Sequence, residues 1–97
     1  MVQGVKCWEK RYVEVLVRWR SNGRIEPLAV LWGDGRRFDV ERQFGNPQRT
    51  VSRKVGGAGL RYDVQIAGKR AHLWLEDVGT RVSPTGRRWF VEEVVPE

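Results

Sequence analysis

The chain has 97 residues, of which 18 are Lys or Arg and 12 are Asp or Glu, giving a formal net charge of +6. This length accommodates one domain, residues 1–97. One Cys excludes an intrachain disulfide, and one Cys with one His provides too few ligands for a structural zinc site, so we expect no metal and no cofactor. No segment approaches the roughly 20 apolar residues of a membrane helix, and the first residues lack a signal-peptide core. We therefore expect a cytoplasmic protein without a membrane partner.

Three strands joined by tight hairpins are predicted in the first half of the chain. Apolar and polar residues alternate with a period of two in the first and third of them, both faces of the second are apolar, and Gly-containing turns separate the runs. Asn22-Gly23 and Gly33-Asp34-Gly35 readily adopt the positive φ angles that short hairpin turns require. The predicted strands are 11–20, 27–32 and 36–42; the first places Val13, Val15, Val17 and Trp19 on one face, and the third turns Phe38 and Val40 inward.

Residues 44–59 are the least regular part of the sequence. Gly45-Asn46-Pro47 interrupts any helix or strand. Residues 51–55 fit either a short strand or a single helical turn, and the glycine-rich residues 56–59 fit a loop or a wide turn. The pattern does not determine element boundaries in this segment.

Regular alternation returns after residue 59 and predicts three more strands. These are 60–66, 70–76 and 87–94, joined by a turn at 67–69 and a long loop at 77–86. Residues 1–10 fit either a flexible arm or an additional edge strand, and residues 95–97 fit a short tail. The apolar faces of the three strands carry Leu60, Tyr62, Val64 and Ile66, then Ala71, Leu73 and Leu75, then Trp89 and Val91.

The pattern as a whole is typical of an all-β protein. No window of 11 or more residues shows a helical period bounded by caps. About six short strands joined by Gly-containing turns can stack as a sandwich, but a small curled antiparallel sheet or an SH3-like or split barrel leaves fewer exposed edges. We therefore expect the barrel.

Three stretches resemble a group of bacterial proteins. They are residues 27–38 (PLAVLWGDGRRF), 54–62 (KVGGAGLRY) and 88–92 (RWFVE). Over about residues 12–93 the chain is similar to short, uncharacterised bacterial proteins with the same hairpin, Gly-Gly-x-Gly-x-Arg-Tyr turn and closing Trp-Phe strand, although the loop at 77–86 is longer here. The resemblance implies a small intracellular domain and no particular activity or catalytic residue.

Positive charge is concentrated in the irregular middle segment. Residues 42–62 contain five basic residues and no acid. In a small barrel this segment would lie on a loop-rich rim, and a cationic rim attracts phosphate through counterion release. Arg outnumbers Lys 14 to 4, which suits bidentate phosphate binding and stacking on bases. The residues predicted to contact nucleic acid, with weak sequence selectivity, are Arg36, Arg37, Arg42, Arg49, Arg53, Lys54 and Arg61.

Among the aromatic residues, Trp74 is the one that we expect to face outward. It lies on the face of its strand opposite Leu73 and Leu75. Exposed aromatics beside a basic groove form the stacking platforms of single-strand binders, so Trp74 joins the predicted nucleic-acid contacts. An exposed Trp would serve a protein partner equally well. The tryptophans expected to pack inside are Trp19, Trp32 and Trp89.

The glycine-rich turn is a candidate anion site. Successive backbone N–H groups at Gly56, Gly57 and Gly59 can point at a phosphate or carboxylate. The turn lacks the Lys and Ser/Thr of a nucleotide-binding P-loop, and no helix pattern follows it. A turn or bulge that requires positive φ angles is the favoured alternative.

No catalytic motif is present in the sequence. His72 is the only imidazole, there is no nucleophile elbow, and the adjacent carboxylates of Glu92-Glu93 point to opposite faces of a strand. The sequence therefore favours a noncatalytic small β-barrel that binds nucleic acid, or an assembly containing it, through a basic rim. The alternative is a protein-interaction module or homodimer that joins exposed strand edges or an aromatic patch and uses its charge for solubility.

Overall fold

The structure, a computed structural model, describes residues 7–77 and 87–95 and contains only β-strands and turns there. Every strand except the short fourth one overlaps a segment predicted from the sequence to be a strand, and the predicted all-β class is confirmed. The strands are Cys7–Trp19 (β1), Ile25–Leu31 (β2), Arg37–Gln43 (β3), Gln48–Val51 (β4), Ala58–Ile66 (β5), Lys69–Glu76 (β6) and Trp89–Val95 (β7).

Six of the strands close into an antiparallel barrel. The order around the barrel is β1-β2-β3-β5-β6-β7, and the pairing of β7 with β1 completes the circuit. One edge of β5 is shared, because its second half pairs with β3 and its first half pairs with β4. The predicted small barrel of about six strands is confirmed, with β4 as an additional seventh strand.

Strand β1 begins earlier than the alternation indicates. Its residues 7–13 pair with β7, from Cys7 opposite Val95 to Val13 opposite Trp89. Residues 7–10 are therefore part of a strand with partners on the barrel wall, and not a separate edge strand. The predicted arm before residue 7, the loop at 78–86 and the last two residues lie outside the described part of the chain.

The middle segment combines a strand with a turn. Strand β4 ends at Val51, earlier than the 51–55 strand considered from the sequence, and residues 52–57 then reverse the chain. The Ser52 N–H donates to the Gly57 carbonyl oxygen at 2.9 Å, and the Gly56 N–H donates to the Ser52 carbonyl oxygen at 3.1 Å. We call residues 52–57 the flap, because they lie over the outer surface of the barrel.

The barrel interior is filled by the apolar faces predicted for β5, β6 and β7. Buried Tyr62, Val64, Leu73 and Leu75 form its centre together with Val30 of β2. The half-buried side chains around them include Val13, Val15, Val40, Trp32, Trp89 and Val91. The expectation that Trp32 and Trp89 pack against the core is confirmed.

The expectation that Trp19 is buried is wrong. Among the described residues, β7 pairs with β1 only as far as Val13, and beyond that residue β1 is paired with β2 alone. The register of this pair also shifts between Leu16 and Val17, which leaves Leu28 without a direct partner on β1. The side chain of Trp19 consequently extends past the barrel wall and is 72% exposed.

A second apolar layer lies on the outside of the barrel, under the flap. Trp74 and Phe90 are 2% and 0% exposed although they face away from the interior. The flap packs closely here, since a Cβ atom on Gly57 would lie 3.4 Å from Phe90 Cζ and 2.7 Å from Lys10 Nζ. Strands β6 and β7 are therefore covered on both faces where Trp74 and Phe90 lie.

Candidate nucleic-acid interface

Four of the seven cations predicted to contact nucleic acid already have a carboxylate partner. Each forms an ion pair with an aspartate, which for Arg37 and Arg61 lies two residues further along the same strand. The Asp34 carboxylate also accepts the Arg36 backbone N–H at 3.0 Å. This backbone hydrogen bond and the Arg36 guanidinium hold the pKa of Asp34 below its usual value, so Asp34 stays ionised beside its partner. The pairs are Arg36–Asp34 at 2.6 Å, Arg37–Asp39 at 2.8 Å, Arg61–Asp63 at 3.0 Å and Arg49–Asp77.

These pairs reduce the basic potential expected from the acid-free segment. Asp63 and Asp77 follow that segment in the sequence. Asp63 is on the same strand as Arg61 and pairs with it, and the β5–β6 hairpin brings Asp77 back to pair with Arg49. The Arg61–Asp63 pair is close in distance but poorly aligned, since its only hydrogen bond is a long one of 3.5 Å from Nη2. The predicted rim is therefore not one continuous cationic surface.

Trp74 cannot act as the predicted stacking platform. Its ring stacks on Phe90, with centroids 5.6 Å apart and planes 3° from parallel, and only 2% of the residue is exposed. The alternation of β6 correctly places Trp74 on the outer face. The flap covers that face, and the residue pattern of one β-strand contains no information about which other segment covers it.

The glycines of the predicted anion site have backbone roles. Gly56 and Gly57 adopt φ angles of 75° and 97°, and the Gly56 N–H is already bonded within the flap. Gly59 lies inside β5, where an added Cβ would come within 2.1 Å of the Leu75 carbonyl oxygen. These are the requirements of a tight turn and a close strand contact.

Three of the predicted cations, Arg42, Arg53 and Lys54, form no ion pair with any described residue. Arg70, which sequence reasoning missed, joins them. In the sheet Arg42 lies opposite Gln65, and Gln65 lies opposite Arg70, so three neighbouring strands bring the two arginines into one row on the outer face.

Both arginines of this row lie against one aromatic ring. The guanidinium carbon of Arg42 is 5.1 Å from the Phe44 ring centroid, and that of Arg70 is 3.9 Å from it. We call Arg42, Phe44 and Arg70 the basic row. A similar contact lies on the flap, where Lys54 Nζ is 3.9 Å from the ring centroid of Trp8, which is 37% exposed.

A chain of polar contacts fastens the flap to the barrel. The Ser52 hydroxyl donates to Glu92, and the other Glu92 oxygen lies 3.2 Å from His72 Nδ1. His72 Nε2 lies 3.5 Å from Asp63 Oδ1. A serine nucleophile needs a hydrogen bond to the imidazole, whereas Ser52 bonds to the carboxylate and is only 5% exposed. The arrangement therefore holds a loop and does not match a hydrolytic triad.

A cavity of about 700 Å³ opens at the end of the barrel beside the β1–β2 turn. Its polar wall includes Arg20, which pairs with Glu26 at 2.6 Å, and Arg24, which donates to the Asn46 side-chain oxygen at 3.1 Å. Buried Tyr62 also lines it, and the Tyr62 hydroxyl donates to the Ile25 carbonyl oxygen at 3.0 Å. Arg20 and Arg24 are thus engaged by neighbouring side chains, whereas Arg87, which also lines the cavity, forms no ion pair with a described residue.

The described residues contain no group of three or more His, Cys, Asp or Glu side chains placed to hold a metal ion. Within the same ranges there is also no helix that is both long and apolar enough to span a bilayer.

Comparison of the chain with protein-family models, with curated proteins and with solved structures found no match. The resemblance to short bacterial proteins stays a prediction. The case for any function therefore depends on the arrangement of side chains alone.

Proposed function

We propose that this protein is a noncatalytic nucleic-acid-binding barrel that contacts the phosphate backbone through the basic row. The observation that carries the proposal is the convergence of Arg42 and Arg70 on Phe44, with no carboxylate paired to either arginine among residues 7–77 and 87–95. Lys54 and Arg53 of the flap provide two further cations that form no ion pair with a described residue.

The stacking of the two arginines on Phe44 suits phosphate binding. A guanidinium that packs against a ring keeps its N–H donors at its planar edge, where they can bind two phosphate oxygens. The ring also restricts the rotamers of the side chain, so less conformational entropy is lost when phosphate binds. Paired arginines such as Arg37 lack this capacity, because phosphate must first displace a carboxylate.

Contacts of this kind confer little sequence selectivity. Phosphate contacts position a protein on a nucleic acid and carry no base information, and Trp74 is not available to stack on a base. We expect single strands and duplexes of different sequence to bind with similar affinity and with strong dependence on salt.

The test compares two double variants with equal charge. Arg42→Gln/Arg70→Gln removes the two cations of the basic row, and Arg36→Gln/Arg37→Gln removes two cations that are paired with Asp34 and Asp39. Binding of a labelled single-stranded oligonucleotide and its duplex is followed by fluorescence anisotropy over a series of salt concentrations. We expect the first variant to bind much more weakly. For the single strand, the slope of log K against log salt concentration should become less steep by about 1.4, because two phosphate contacts are lost.

The control variant is expected to retain most of the affinity. If both variants weaken binding equally, the attraction comes from net charge and the basic row is not a site. If the unmodified protein does not bind either oligonucleotide at low salt, the proposed function is wrong.

A further inference from the structure

One edge of β1 has no strand partner in the described part of the chain. The β1–β7 ladder ends at Val13, whereas β1 continues to Trp19 on β2 alone. Residues 14–19 therefore direct alternate backbone N–H and C=O groups away from the sheet. Such an edge is a template for pairing with another strand.

The side chains on this edge are exposed and apolar to an unusual degree. Leu16 is 41% exposed, Val17 is 37% exposed and Trp19 is 72% exposed. The two charged residues of the same edge, Glu14 and Arg18, form no ion pair with any residue the structure describes. The edge thus carries apolar surface and one unpaired charge of each sign.

We propose that a second copy of this chain pairs with this edge, antiparallel, about a two-fold axis at Leu16. Glu14 then lies opposite the partner's Arg18, and Arg18 lies opposite the partner's Glu14. Leu16 meets the partner's Leu16, and Val15 meets the partner's Val17. An isologous contact of this kind forms two equivalent Glu14–Arg18 ion pairs and covers the apolar side chains. Directly opposed side-chain pairs are the interactions that stabilise neighbouring strands of a sheet.

Neighbouring registers that keep the same faces together are less favourable. An axis at Val17 places Leu16 opposite the partner's Arg18 and directs Glu14 to the partner's Arg20, which is already bound to Glu26 at 2.6 Å in its own chain. An axis at Arg18 places two like charges opposite each other. The complementary charges of Glu14 and Arg18 therefore favour a second copy of this chain as the partner, and they favour the register with its axis at Leu16.

The inference is independent of the proposed nucleic-acid binding, because the edge and the basic row share no residue. It is tested first by charge exchange. Glu14→Arg and Arg18→Glu each create like-charge pairs across the axis, and the double variant Glu14→Arg/Arg18→Glu restores opposite charges. We expect each single variant to raise the dimer dissociation constant roughly tenfold or more, and the double variant to recover affinity.

The masses are measured by light scattering after size exclusion over a wide range of concentrations, with circular dichroism to confirm the fold of each variant. A protein that stays monomeric at every concentration overturns the inference. So does a dimer that is indifferent to both single changes, or one that the double change fails to restore.

A cysteine experiment tests the register. In a Cys7→Ser background, Leu16→Cys places two thiols across the proposed axis, within reach of a disulfide. Val15→Cys is the matched control, because each Val15 lies opposite the partner's Val17 and the two new thiols are separated by two residues along the strands. We expect mild oxidation to cross-link only the Leu16→Cys variant. Equal cross-linking of both variants, or of neither, contradicts the register.

Discussion

Trp74 and Phe90 stack face to face on the outside of the barrel, with ring centroids 5.6 Å apart. They occupy directly opposed positions on β6 and β7, so the stack is a cross-strand pair. The flap covers it and is held by the hydrogen bond from Ser52 to Glu92. This small protein therefore has two apolar layers, one inside the barrel and one beneath the flap.

Truncation of Trp74 is expected to be strongly destabilising. Trp74→Ala removes a large ring from the layer beneath the flap and leaves a cavity against Phe90, which costs about 3–5 kcal/mol in unfolding free energy. The measurement is urea denaturation followed by circular dichroism. Trp19→Ala is the control, because this ring is 72% exposed, and it should change the free energy by no more than about 0.5 kcal/mol. Equal losses in the two variants would contradict the second layer.

Gly59 is expected to tolerate no side chain. Its position on β5 would place a Cβ 2.1 Å from the Leu75 carbonyl oxygen and 3.0 Å from Glu76 Cα, both of them backbone atoms that cannot rotate away. Gly59→Ala should therefore lower the free energy of unfolding by roughly 1–3 kcal/mol or more. Gly33→Ala is the matched control, since nothing lies within 4 Å of that Cβ and the φ angle is not in the left-handed region. The measurement is the melting temperature of each variant, and equal melting temperatures for Gly59→Ala and Gly33→Ala would contradict the close contact at Gly59.

The contact between Ser52 and Glu92 is expected to stabilise the flap. The side chain of Glu92 is only 6% exposed, so loss of a donor leaves a poorly hydrated carboxylate oxygen. We expect Ser52→Ala and Glu92→Gln each to lower the unfolding free energy by about 1–3 kcal/mol, and the double variant to lose less than the sum. Denaturant titration of the four-member cycle measures the coupling.

Glu93→Gln provides the comparison for this cycle. Glu93 pairs with Arg11 at 2.8 Å on a more exposed surface, where such pairs contribute about 0–1 kcal/mol. Strict additivity of the Ser52 and Glu92 changes would show that the two side chains do not act together.

Burial of Tyr62 predicts a loss of stability at alkaline pH. Desolvation raises the pKa of Tyr62 above its ordinary value of 10.0, while the Arg87 charge opposes this increase. The folded state therefore holds the phenolic proton more tightly than the unfolded state. This contribution to stability is complete below pH 10 and is lost as the pH rises through the higher pKa of the folded protein.

The Tyr12→Phe variant isolates this group, because the chain has only two tyrosines. In that variant the ultraviolet absorbance of tyrosinate reports Tyr62 alone, and we expect its midpoint above pH 10. Tyr62→Phe should reduce the fall in the urea midpoint between neutral pH and pH 11. A Tyr62 titration at or below pH 10 would contradict the effect of burial.

The alternation of residue types predicted nearly all of the strands and the inward faces of β5, β6 and β7. Those predictions succeeded because the period of two is a local property of an extended chain with one buried face. The misplaced residues are at sites where a distant segment decides burial. Trp19 extends beyond the end of β7, and Trp74 is covered by a flap about twenty residues earlier in the chain.

The sequence by itself determined the all-β class, the hairpin turns, the apolar faces and the excess of arginine, because each depends on residue type and on spacing between close neighbours. Only the tertiary structure decided which charges remain available. It pairs Arg49 with Asp77. It also brings Arg42 of β3 and Arg70 of β6 against the ring of Phe44. The electrostatic effect of a side chain depends on its distance from other charges, and in a closed barrel the strand register determines those distances.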